Sequence, residues 1–148
     1  MDQSEKELLL KDLCCRLPYG IKVYDAKSNV NVPYMNLCHV NGIINEVFIS
    51  SGMICRTAPI EDIKPYLFPL SSMTEEQKRE ISKRYNYHNY YGLSIEITYH
   101  SEGYWDDDNS CNLQDYLWLE DWYNKNHFDY RGLIEKGLAI DATNKNIY

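Results

Sequence analysis

The sequence predicts a single α+β domain over residues 1–148: an N-terminal helix, a small antiparallel β-meander or SH3-like barrel, and C-terminal helices packed on it. Three observations indicate this fold class. Apolar residues recur at helical spacing near the N-terminus, four short β-rich stretches follow, and helical spacing returns after residue 113. A chain of 148 residues can also bury a core without disulfides.

The first helix has both a start and a stop signal. Ser4 and Glu7 have the spacing of a capping box, and Pro18 with Gly20 ends the helix. One apolar stripe follows the cap at positions i, i+3, i+4 and i+7: Leu10, Leu13, Cys14 and Leu17. Cys14 is therefore expected to fill space in the core.

Four stretches rich in β-branched and aromatic residues come next: IKVYD, MNLCHV, EVFIS and MICRT. Asn41-Gly42 and Ser51-Gly52 mark turns or a bulge between them. Short strands with tight connections indicate an antiparallel meander, and closure into an SH3-like barrel would remove its edges. After them, Pro59, Pro65 and Pro69 predict a helical turn from Ile60 to Ile63 and then extended surface chain.

Two further helices are predicted. Thr74 and Gln77 form a second capping-box pair at the start of a mostly solvated helix. The other helix runs from about Leu113 to Lys125, with Trp118 and Trp122 as an apolar ridge beside a second cluster of apolar residues. Such a helix is either sandwiched between two layers or presents its tryptophans to a partner.

Residues 85–111 differ in composition from the rest of the chain. They contain no Lys or Arg, are rich in Tyr, and alternate apolar and polar residues from Leu93 to His100. This alternation predicts a strand with one buried face, flanked by loops, inserted between the second and third helices. Tyrosines suit either a contact surface or a solvated core edge.

The stretch FDYRGLIEKGL carries residues that often do chemistry, yet each has a structural explanation. Asp129 is a good N-cap for a helix from Tyr130 to Lys136, and Gly137 suits the left-handed position that ends it. The apolar pairs Phe128–Leu133 and Leu133–Leu138 match a staple and a Schellman contact. His127 and Arg131 are then a turn histidine and an exposed arginine.

Charge and cysteine content narrow the classes of function. Residues 92–148 hold 11 acidic and 4 basic residues, whereas residues 1–91 balance 11 against 11, so nucleic acid is disfavoured. The acidic N-terminus does not resemble a secretory signal, and no stretch approaches a membrane span, so we expect a cytoplasmic protein with reduced thiols.

Signatures of catalysis are weak. Cys55 precedes Arg56, which could lower the pKa of the thiol, and it is the one candidate reactive thiol. Cys38, His39 and Cys55 lack the spacing of a metal site, and phosphate-binding glycine loops are absent. We predict no catalytic residue, cofactor or metal.

Three segments carry a resemblance: LPYGIKV, IKPYLFPLSSMT and HFDYRGLIEKGLAIDA. They resemble a family of short uncharacterised proteins from gut Bacteroides genomes and from the phages and prophages of those bacteria. The segments cover about a quarter of the chain and span it from end to end. The resemblance implies no activity, and the Tyr-rich region 85–111 is an elaboration relative to the family.

The leading hypothesis is a non-enzymatic binding or regulatory accessory protein with a protein partner. Its candidate contact residues are aromatic: Trp118, Trp122, Tyr90, Tyr91, Tyr104 and Trp105. Two alternatives stay open, a nucleic-acid-associated small-barrel protein and a cysteine-dependent enzyme using Cys55. The oligomeric state does not follow from the sequence.

Overall fold

The computed structural model describes residues 1–27, 30–32, 34–40, 43–51, 54–85 and 113–148. Its helices are α1 (Gln3–Arg16), α2 (Glu75–Tyr85) and α3 (Leu113–Lys125). Its strands are β1 (Val23–Asp25), β2 (Val30–Val32), β3 (Tyr34–Val40), β4 (Ile43–Ser51), β5 (Ile54–Pro59), β6 (Ile63–Leu67) and β7 (Ile140–Asp141). The predicted α+β class is confirmed. The strand predicted within 85–111 lies outside the described residues.

The strands form two sheets. One is mixed, with the order β2-β1-β6-β7, in which β6 pairs antiparallel with β1 and parallel with β7. The other is the antiparallel meander β3-β4-β5, whose register shifts between Cys38 and His39. Among the described strands no further pairing joins the two sheets, so the SH3-like barrel stays a prediction.

Helix α1 begins two residues earlier than predicted, and its buried face differs. The Asp2 carboxylate accepts from the Glu5 N–H at 2.8 Å, and the Glu5 carboxylate accepts from the Asp2 N–H at 2.8 Å. Asp2 rather than Ser4 therefore caps the helix. The buried residues are Leu9, Asp12, Leu13 and Arg16, whereas Cys14 is exposed, so the predicted burial of Cys14 is wrong. The predicted apolar stripe is wrong because a charged pair, Asp12 and Arg16, occupies the buried face of α1.

The chain predicted to run over the surface after Ile63 is instead the interior strand β6. Val23 of the neighbouring strand β1 pairs with Pro65 of β6. At the next position along the two strands, the Tyr66 N–H donates to the Lys22 carbonyl at 3.0 Å. Because bonding and non-bonding pairs alternate in an antiparallel ladder, Pro65 occupies a position where β1 needs no donor. Pro65 is therefore compatible with a strand at this position.

Several predicted features are confirmed. A 3-10 turn spans Ile60–Asp62, and α3 has the predicted bounds. At the start of α2, the Gln77 side chain accepts from the Thr74 N–H at 2.9 Å, and the Thr74 hydroxyl accepts from the Gln77 N–H at 3.2 Å. These local patterns needed no information from distant parts of the chain.

The predicted helix from Tyr130 to Lys136 is wrong, although its end is right. Gly132 has a left-handed φ of +69°, which breaks the helix, and the segment forms turns. The Asp129 carboxylate accepts from the N–H groups of Leu133 and Ile134 at 2.8 Å each. The Schellman ending is present: the Leu138 N–H donates to the Leu133 carbonyl at 2.9 Å, and Gly137 has a φ of +69°.

The described core has two apolar clusters. In the first, α1 packs against the mixed sheet, the end of β5 and the turns of residues 129–139, called the closing turn below. Its residues are Leu9, Leu13, Ile21, Val23, Ala58, Ile60, Ile63, Leu67, Leu133, Leu138 and Ala139. The second joins α2, α3 and the chain after α3: Met73, Ile81, Leu119, Trp122, Tyr123, Phe128 and Tyr130. No helix in the described ranges is long and apolar enough to cross a membrane.

Candidate functional site

A charged cluster on the buried face of α1 is the densest group of polar side chains in the described ranges. Asp12 and Arg16 are one helical turn apart, and both side chains are 0% exposed. Arg16 Nε donates to Asp12 Oδ2 at 2.8 Å, and Arg16 Nη2 donates to Asp12 Oδ1 at 3.0 Å. This bidentate geometry holds both charges away from water.

The same guanidinium reaches the chain after α3. Arg16 Nη2 donates to the Phe128 carbonyl at 2.7 Å, and Arg16 Nη1 donates to the Tyr123 carbonyl at 3.4 Å. Each carbonyl also accepts a backbone donor: the Phe128 N–H donates to the Tyr123 carbonyl at 3.0 Å, and the Tyr130 N–H donates to the Phe128 carbonyl at 3.1 Å. Arg16 therefore links α1 to the end of α3.

Arg131 adds a second arginine to the cluster. Its Nη1 donates to Asp12 Oδ1 at 3.0 Å, and its Nη2 donates to Glu120 Oε1 at 2.6 Å. The side chain is only 3% exposed, so the prediction of an exposed arginine is wrong. The turn after Asp129 directs Arg131 inward, where two carboxylates compensate its charge.

Tyr130 lies between the two guanidinium groups. The Arg131 Cζ is 4.3 Å from its ring centroid and the Arg16 Cζ is 5.5 Å away. Its hydroxyl lies 3.1 Å from both Glu120 Oε1 and Asn124 Oδ1. Burial raises the pKa of Tyr130 well above its usual range, so this hydroxyl stays protonated and donates.

The arrangement favours architecture over chemistry. Two arginines face two carboxylates, Asp12 and Glu120, so the cluster has no net charge with which to attract an ion. The Asp12 carboxylate accepts three guanidinium N–H donors and is fully buried, so a substrate proton has no route to it. The cluster joins α1 to α3 and to the turn after α3, which lie 107 to 119 positions further along the chain.

His127 also has a structural environment. It has a left-handed φ of 58°, and its carbonyl accepts from the Phe68 N–H at 2.9 Å. Its ring stacks on Tyr148 at a centroid distance of 4.1 Å, and its buried Nδ1 has no hydrogen-bond partner. Burial first, then the positive charges of Arg16 and Lys22, lowers the pKa of His127 to about 4.

The two tryptophans of α3 have different environments. Trp122 is 5% exposed and stacks on Phe128 at 5.6 Å with nearly parallel rings, so it belongs to the core. Trp118 is half-buried and packs against the same cluster. The outward side of α3 instead presents Tyr116 and Leu117, which are 42% and 48% exposed.

The other predicted contact residues, Tyr90, Tyr91, Tyr104 and Trp105, lie outside the described residues. The backbone of Cys55 lies in β5, opposite Ser50 in β4, and its reactivity stays a prediction. Cys15 Sγ lies 3.5 Å from Arg131 Nη2. Within the described ranges, no three His, Cys, Asp or Glu side chains are grouped so that they could hold a metal ion.

Comparisons with known proteins leave the family open. Searches against protein-family models, curated proteins and solved structures each found no match.

Part of this geometry had a signal in the sequence. Asp12 and Arg16 have the i, i+4 spacing of an intrahelical ion pair, which indicates a salt bridge but not its burial. Arg131 gave no comparable signal, because its partners are 119 and 11 positions away.

Proposed function

We propose that this chain is a non-enzymatic binding or regulatory accessory protein that acts through a protein partner. We further propose that it is a cytoplasmic protein of a Bacteroides genome or resident phage, on the resemblance of its three segments. The observation that carries the binding role is the outward side of α3. There Leu117 is 48% exposed beside Tyr116, which is 42% exposed.

The position of Leu117 on the helix supports a contact surface. Leu119, Trp122 and Tyr123 bury the opposite side of α3 in the core, whereas Leu117 is outside this cluster and 48% exposed. A single exposed leucine is common, but adjacent Tyr and Leu beside a half-buried Trp offer a larger apolar surface. Tyrosine and tryptophan at the centre of such a surface typically contribute most of the binding energy.

Charge indicates what kind of partner fits. The exposed Asp121 lies one helical turn after Leu117, and residues 92–148 as a whole carry 11 acidic against 4 basic residues. An apolar patch with an exposed acid beside it is complementary to an apolar protein surface that carries Lys or Arg at its border. The same charge disfavours a nucleic-acid backbone.

The polar cluster supports a role without catalysis. Its carboxylate, Asp12, is 0% exposed and already accepts from two arginines. A general base must reach the proton that it removes, and Asp12 cannot.

The test compares two variants of the full chain that change net charge equally. Leu117→Lys removes exposed apolar area and places a positive charge at the centre of the proposed contact surface. Glu135→Gln makes the same change of one positive unit at an exposed position of the closing turn. Tagged wild-type and variant proteins are incubated with Bacteroides lysate, and the mass and stoichiometry of each eluted complex are measured.

We expect wild type and Glu135→Gln to retain one partner in fixed stoichiometry, and Leu117→Lys to lose it. Both variants should keep the unfolding midpoint of wild type, because substitutions at exposed sites change stability by at most ~0.5 kcal/mol. Equal retention by Leu117→Lys and wild type would exclude this surface, and the absence of any stoichiometric partner would contradict the binding role.

A further inference from the structure

Tyr148 packs back against the sheet through its ring. The ring stacks on the His127 imidazole at 4.1 Å and 15°, and the Phe68 ring is tilted against it at 5.8 Å. The Lys22 ammonium lies over the same ring, with Nζ 5.3 Å from the ring centroid. Three different types of aromatic contact thus hold one phenol, although Tyr148 as a whole remains 41% exposed.

The hydroxyl of Tyr148 replaces one bond of the β1–β6 ladder. The Tyr66 N–H donates directly to the Lys22 carbonyl at 3.0 Å, which makes these residues a hydrogen-bonded antiparallel pair. The return bond is relayed: the Lys22 N–H donates to the Tyr148 hydroxyl at 3.2 Å, and that hydroxyl donates to the Tyr66 carbonyl at 2.9 Å. One phenolic oxygen therefore accepts from a backbone N–H and donates to a backbone carbonyl.

The segment that brings Tyr148 to this place is lightly attached. Asn144, Lys145 and Asn146 are exposed. Apart from turn hydrogen bonds, its described attachments are the Tyr148 contacts and a hydrogen bond from the Lys22 ammonium to the Ile147 carbonyl. Segments with few buried contacts open locally at a small free-energy cost, without global unfolding. Opening would uncover His127, whose buried Nδ1 lacks a partner.

We infer that the slot formed by His127, Phe68 and the Lys22–Tyr66 backbone pair is a binding site for a tyrosyl side chain of a partner peptide, occupied in cis by Tyr148. This site is separate from the α3 surface and does not depend on it. An intramolecular tyrosine has an effective concentration in the millimolar range, so it competes with any peptide from outside. The partner peptide must displace the Tyr148 segment to bind.

The slot should select the hydroxyl group. A phenylalanine ring would keep the stacking contacts but leave the Lys22 N–H without its acceptor, and one lost hydrogen bond weakens binding roughly fivefold. A phosphotyrosine should be rejected, because the Tyr66 carbonyl is an acceptor and requires a donor at this position. The expected ligand class is therefore an unmodified tyrosine.

The experiment uses the full chain carrying Tyr148→Ala. N-acetyl-tyrosinamide, N-acetyl-phenylalaninamide and N-acetyl-phosphotyrosinamide are titrated in parallel. Binding is followed by NMR at the Lys22 amide and the His127 ring. We expect saturable shifts with the tyrosine amide, at least fivefold weaker affinity for the phenylalanine amide, and no binding of the phosphorylated ligand. Wild type should show no shift at the same concentrations, because its slot is filled.

Two matched results would overturn the inference: equal affinity for the tyrosine and phenylalanine amides, or shifts that leave Lys22 and His127 unaffected. Adding His127→Ala to Tyr148→Ala should abolish binding, since the stacking face is then removed. If Tyr148→Ala does not fold, Tyr148→Phe serves instead. Its Lys22 amide should exchange with deuterium several-fold faster than in wild type, and an unchanged exchange rate would show that the hydroxyl is not recognised.

Discussion

Arg131 Nη1 lies 3.0 Å from Asp12 Oδ1, although the two residues are 119 positions apart in the chain. Both side chains are buried, and Asp12 also holds Arg16. The first helix and the turn after the last helix are thereby joined through one carboxylate. Removing that carboxylate leaves two buried guanidinium groups without their main counterion.

We therefore expect Asp12→Ala to destabilise the protein by about 3–5 kcal/mol, the usual cost of breaking a buried ion pair from one side. Urea denaturation of wild type and variant measures the difference. Lys6→Ala is the control on the same helix, because it breaks the exposed Lys6–Glu61 pair at 3.3 Å and should cost less than about 1 kcal/mol. Similar losses in the two variants would contradict a structural role for the cluster.

His127 should make stability depend on pH. Its pKa is lowered to about 4 in the folded protein from 6.5, so between these values the unfolded chain binds more protons. Stability is then fully present above pH 6.5 and declines as the pH falls toward 4, by up to about 1.4 kcal/mol per pH unit for one proton.

The matched variant is His127→Asn, because asparagine tolerates the left-handed φ of 58°. Free energies of unfolding measured from pH 4 to 7 should show a smaller slope in this variant than in wild type. Parallel curves for the two proteins would mean that His127 titrates normally in the folded state.

Gly137→Ala should destabilise the closing turn through the backbone alone. Its φ is +69°, and a Cβ built there meets no atom within 4 Å, so the cost is that of a left-handed L-residue, about 1–2 kcal/mol. Gly137→Asn should cost less, since asparagine is enriched in this conformation. Thermal denaturation of the two variants compares them, and a larger loss for Gly137→Asn would argue against a backbone origin.

The start of α1 offers a paired test of its cap. Asp2→Ala removes the side chain that accepts from the Glu5 N–H and should cost about 1 kcal/mol. Ser4→Ala lies inside the helix and should change stability by no more than ~0.5 kcal/mol. Urea titration of both variants measures this, and the opposite order would restore Ser4 as the cap.

The outcome for each element shows what could be predicted from the sequence. The bounds of α3 and the Thr74–Gln77 cap depend on neighbouring residues, and both were confirmed. The interior strand β6 was missed because three prolines suggested surface chain, whereas the alternation of the β1–β6 ladder leaves Pro65 without a required donor. Whether Pro65 fits in the strand depends on the register of β6 against β1, which the sequence does not reveal.

The candidate sites follow the same division. Asp12 and Arg16 have helical ion-pair spacing, but Arg131 contacts carboxylates that are 119 and 11 positions away, which a local sequence pattern does not specify. Helical spacing predicts one apolar ridge of Trp118 and Trp122. The structure separates them, because Trp122 stacks on Phe128 from the turn after α3. Such long-range packing is not visible in helical periodicity.

Three segments of the chain meet at a single strand: LPYGIKV, IKPYLFPLSSMT and HFDYRGLIEKGLAIDA. β6 pairs with β1 on one side and with β7 on the other, and Phe68 just after it exchanges hydrogen bonds with His127 and Asp129. During synthesis, β6 leaves the ribosome long before β7 exists. The nascent chain must therefore carry an open edge on β6 until β7 has emerged.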